Sequence, residues 1–107
     1  MSRAEILAAP SSAFPESAQF LGGYFHQDWV VDREGWQEVV DDYVTETPDA
    51  VVAACAAEVR ALLNAGLSDD DLGRVLAGFG CSVDPSAFGL TAATWLAAVR
   101  ARLEAAA

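Results

Sequence analysis

The chain has no lysine, one histidine, one methionine and two cysteines among its 107 residues. Each scarcity excludes something. Six arginines face sixteen carboxylates, for a formal charge of -10. Without clustered positive charge such a chain is badly suited to gripping a phosphate backbone, so nucleic acid is not an expected partner. One histidine and two cysteines outside any Cys-x-x-Cys spacing do not make a zinc site. No metal or cofactor is implied. Glu58 and Arg60 interrupt the most apolar stretch well short of the ~18–20 residues of a membrane span. The start, Met-Ser-Arg-Ala-Glu, lacks the apolar core of a secretory signal. The expected setting is the cytoplasm, with no membrane partner, and Cys55 and Cys81 are expected as reduced thiols.

What is present is a helical pattern. Phe20 with Tyr24, and Leu21 with Phe25, are i,i+4 pairs in a first helix that Phe14-Pro15-Glu16 can start. Gly22 and Gly23 inside it signal close approach by another backbone, or a break. His26 to Gly35 reads as a connection. Trp36, Val39, Val40, Tyr43 and Val44 recur at helical spacing in a second helix, and Val52, Cys55, Val59, Leu62 and Leu63 in a third, about Pro48 to Asn64. Ser68-Asp69-Asp70-Asp71 caps a fourth helix that buries Leu72, Val75, Leu76 and Phe79. After a loop from Gly80 to Gly89, Trp95, Leu96, Val99 and Leu103 form the inner face of a last helix. Arg100 and Arg102 lie outside, and the alanine-rich tail is expected to fray. No segment alternates with period two. The expectation is an all-α fold: a single compact bundle of about five helices spanning 1–107, with 1–13 as a loose lead-in.

Charge is uneven along this frame. Residues 26–50 hold eight acids against Arg33 alone, so this segment carries -7 of the total -10. Solubility alone does not call for such an excess, since mixed signs would serve without like-charge strain. Aromatics interleaved with carboxylates have the makeup of a recognition patch for a basic protein. Asp32, Glu34, Glu38, Asp41, Asp42 and Glu46 are the candidate binding residues. Catalysis is not expected. His26 and Asp28 resemble two members of an acid–base set, yet no nucleophile in an activating context accompanies them. His26 reads instead as a cap at the end of the first helix, Asp28 as an acceptor for loop amides or for the next helix's N-terminus, and Trp29 as a cover over the core. On residues alone the chain is a small acidic helical binder, and an adaptor or regulatory module for some other basic protein fits equally.

Phe20-Leu21-Gly22-Gly23-Tyr24-Phe25-His26-Gln27-Asp28-Trp29 resembles the N-terminal signature of the immunity proteins of contact-dependent growth inhibition systems. The likeness continues in order through the acidic helix Trp36 to Glu46, the helix ending Leu62-Leu63, Ser68-Asp69-Asp70-Asp71-Leu72, Phe79-Gly80-Cys81 and Trp95-Leu96, about residues 14–104. Gly23 and Phe79 depart modestly from the pattern. The resemblance implies a small, cytoplasmic, non-enzymatic protein that binds the toxic C-terminal domain of a cognate toxin, often a nuclease. It carries over no docking residues. Tyr24, Phe25, His26, Asp28 and Trp29 are expected as a structural corner first and as contacts second.

Overall fold

The computed structural model describes residues 2–29 and 35–106. Among them the structure is all-α, with seven helices: α1 (Arg3–Ala8), α2 (Pro10–Ala13), α3 (Pro15–Tyr24), α4 (Trp36–Glu46), α5 (Asp49–Leu63), α6 (Asp69–Phe79) and α7 (Ala92–Ala106). A single 3-10 turn, Pro85–Phe88, lies between α6 and α7. The five helices expected from periodicity are α3 to α7. The tail does not fray where expected, because α7 runs on to Ala106 after its last buried residue, Leu103.

The helix ends explain much of the chain's local chemistry. α6 begins with a complete capping box: Ser68 Oγ accepts the Asp71 amide at 3.1 Å, and Asp71 accepts the Ser68 amide at 3.2 Å. It stops at Gly80, whose φ of 83° lies in the left-handed region where a side chain is disfavoured. α3 opens on Pro15 and has no side-chain cap of its own. The carboxylate of Glu58, from the middle of α5, accepts the amides of Glu16 and Ser17 at 3.2 and 3.0 Å. One helix thus caps another, satisfying amides that would otherwise be orphaned and placing negative charge at the positive end of the α3 dipole.

The buried side chains form one cluster. α7 packs on α4, α5 and α6, while α3 packs on α4, α5 and α6. Trp95, Phe20, Phe25, Leu62, Leu96 and Leu103 are fully enclosed. Each such aliphatic or aromatic side chain removed from water favours the fold by roughly 1.5–3 kcal/mol. Phe20 of α3 stacks on Tyr43 of α4 with centroids 4.0 Å apart, and Trp36 at the start of α4 meets Trp95 of α7 edge to face. The acidic helix is therefore fixed at its start by α7 and in its second half by α3.

The loose lead-in expected over 1–13 is instead two short helices laid against α6 over its described part. Ile6 is 1% exposed, Pro10 sits against Gly78, and Arg3 grips Asp71 through Nε–Oδ2 at 2.7 Å and Nη2–Oδ1 at 2.8 Å. Ile6 and Leu7 are the only large apolar side chains of 2–13, too little pattern by themselves to fix a docked element.

Candidate functional site

From Gly35 onward the acidic segment runs along α4. By burying Trp36, Val39, Val40 and Tyr43, this helix turns its charged positions outward. Glu38, Asp41 and Glu46 are exposed and Asp42 is half-buried. Asp32 and Glu34, expected to extend the same face, lie outside the described residues.

The α4 carboxylates differ in what they meet. Asp41 is held by Arg102 of α7: Nε donates to Oδ1 and Nη2 to Oδ2, both at 2.8 Å. This two-pronged bond to the guanidinium holds the Asp41 carboxyl below its ordinary range and raises Arg102 in return. Glu46 accepts the Tyr24 hydroxyl at 2.7 Å, a bond that raises the phenol above its ordinary range. Beside the pair lies an open depression of about 430 Å³ lined by Gly35, Gln37, Glu38, Asp41 and Arg102. Its lining is polar and charged. Arg102 was legible only as an outward residue of the last helix; nothing in the sequence set it opposite Asp41.

The signature stretch divides by burial. Phe20, Leu21 and Phe25 are core; Tyr24 and Trp29 are half-buried; His26, Gln27 and Asp28 are exposed. A Cβ at Gly22 would run into the backbone carbonyl of Phe79, whereas Gly23 faces open space. The first glycine is the close approach between α3 and α6, and the second is not. Just beyond α3, the Ser82 amide donates to the Phe25 carbonyl at 2.7 Å and binds the signature loop to the loop after α6. Phe25 also meets Trp95 and Trp29 edge to face, with centroids 5.4 Å apart in each case. Trp29 in turn meets Phe88, centroids 6.2 Å apart.

His26 does not cap α3 as expected. Its Nδ1 accepts the Asp28 amide at 3.1 Å, so the ring closes its own turn. Asp28 is exposed, and the loop amides that follow Trp29 lie outside the described residues. Trp29 does cover the core through Phe25. The thiols of Cys55 and Cys81 are buried, and loss of hydration pushes each up to about 11. Among the described residues no group of three or more His, Cys, Asp or Glu side chains is placed to hold a metal ion, and no helix is long and apolar enough to cross a membrane.

The family described as CdiI immunity protein matches residues 13–103. No curated protein and no solved structure matches the chain.

Proposed function

The chain belongs to the CdiI immunity protein family, and on that premise we propose that it neutralises its toxin by binding the toxic domain through the outer face of α4 and the depression beside it. The reading makes the protein a stoichiometric inhibitor, with no chemistry of its own. The toxic domain it fits is basic, as a nuclease is where it holds phosphate. Glu38, Asp41, Asp42 and Glu46, with Asp32 and Glu34, are the contacts proposed. The observation that carries the reading is an outer α4 face that bears Glu38, Asp41, Asp42 and Glu46, two of which, Glu38 and Asp41, line an open depression, while the far side of the helix is locked into the core. Charge of this density steers encounter and can raise association to about 10⁸–10⁹ M⁻¹s⁻¹ at low salt. Speed matters where toxin must be captured before it acts.

The test is purification of the chain with the toxic domain encoded immediately upstream, followed by association kinetics. Wild-type protein is expected to form a stable complex and protect cells. Reversing Asp41 and Asp42 to arginine should slow association at least tenfold and flatten its salt dependence, with helicity unchanged. An unreduced association rate for that variant removes this face from the mechanism.

A further inference from the structure

A second exposed feature lies outside the acidic face. Phe88 is 38% exposed, the one large hydrophobic side chain so open among the described residues. Hydrogen bonds close the turn that presents it, and a ring packs behind it. Asp84 Oδ1 accepts the Ser86 amide at 3.1 Å and the Ser86 hydroxyl at 2.6 Å, and Gly89 closes the turn with φ of 73°. Rings in series then tie Phe88 to the centre of the protein: Phe88 to Trp29, Trp29 to Phe25, Phe25 to Trp95. The Ser82–Phe25 hydrogen bond keeps the two supporting loops together. An aromatic shown to solvent from a preorganised turn costs little further ordering when a partner covers it. Large aromatics backed by the core are the usual anchors of tight interfaces.

We propose that Phe88 and Trp29 form an aromatic anchor for the same toxic domain, receiving an arginine-bearing loop of it. This rests on the family reading above. Charge supports that occupant. In sequence the two loops, 25–35 and 80–90, carry Asp28, Asp32, Glu34 and Asp84 against Arg33 alone. A guanidinium stacks on an aromatic face while pairing with a flanking carboxylate, and it sheds water more readily than an ammonium. An anchor of this kind slows dissociation, whereas the α4 acids govern encounter. Capture and retention are then divided between two surfaces.

The experiment measures binding of purified toxic domain, catalytically disabled, to wild type and to Phe88→Ala. Phe88→Ala is expected to raise the dissociation rate at least tenfold, with association rate and melting temperature close to wild type. Acrylamide quenching of the unmodified protein gives an independent readout. Trp95 is enclosed and Trp36 nearly so, leaving half-buried Trp29 as the accessible fluorophore, and binding should suppress its quenching. If wild type binds but the Phe88→Ala dissociation rate is unchanged and Trp29 remains quenchable, the anchor is refuted and the family reading stands. If wild type does not bind the toxic domain at all, the premise fails first and the anchor with it.

Discussion

Arg102 and Asp41 face one another across the α4–α7 contact as a two-pronged ion pair, 61 residues apart in sequence. The acidic face therefore carries a cation of its own. Exposed pairs of this kind contribute about 0.2–1 kcal/mol, so the bond has little bearing on the fold. Its consequence is electrostatic, because it neutralises one carboxylate of the proposed docking surface until a stronger cationic partner takes it.

Arg102→Gln is accordingly expected to leave the melting temperature within a few degrees of wild type. Association with the toxic domain should become several-fold faster at low salt, the gain disappearing near 0.5 M, where the Debye length falls to about 4 Å. Stopped-flow mixing across a salt series checks this. A slower rate would mean that Arg102 itself touches the toxin.

The double glycine gives a paired prediction. Gly22→Ala drives a methyl group into the Phe79 carbonyl and should destabilise by about 2–3 kcal/mol, the upper part of the range for overpacked sites. Gly23→Ala meets nothing and should stabilise by about 0.5–1 kcal/mol through helix propensity and a less flexible unfolded chain. Urea unfolding of the two variants should move the midpoint in opposite directions.

Asp71 is the acid-sensitive tie of the N-terminal helices. The Arg3 guanidinium, and then the Ser68 amide and hydroxyl, hold its carboxyl well below the usual carboxylate range. A carboxyl depressed in the folded state stabilises above its unfolded value of about 3.9, and the contribution fades as pH falls toward the folded value. Arg3→Ala should therefore be less stable than wild type by a constant margin from pH 7 to about pH 5, narrowing steadily below about pH 4. Unfolding curves across that range provide the measurement, and a margin that does not narrow would show that Arg3 acts by packing alone.

Cys55 and Cys81 should be inert in the folded protein. With both thiols buried and pushed up to about 11, a disulfide reagent at pH 8 should label neither on the minute scale. Two equivalents per chain should react at once in denaturant. Rapid labelling of the native protein would reveal a local opening at the thiol concerned.

The helices were legible because their signals are local. Trp36, Val39, Val40 and Tyr43 recur at 3.6-residue spacing, and Ser68 with Asp71 makes a capping box within four residues. Gly22 could be read as a close approach, although only packing against Phe79 distinguished it from Gly23. Residues 3–13 were not legible: Ile6 and Leu7 are one apolar pair among small and polar residues, and the burial of Ile6 depends on a surface that α6 provides only after folding.

The chain's charge, its all-α class and its family follow from sequence, since each depends on composition or on residues a few positions apart. Sequence also concentrated the acids between residues 26 and 50. Which acid is paired, and which aromatic is left in water, only the tertiary structure decided. Asp41 meets Arg102 because α4 and α7 pack together, and Phe88 stays exposed because Trp29 and Phe25 fill the space behind it. Such pairings join residues far apart along the chain, and helical periodicity carries no information about where two helices will touch.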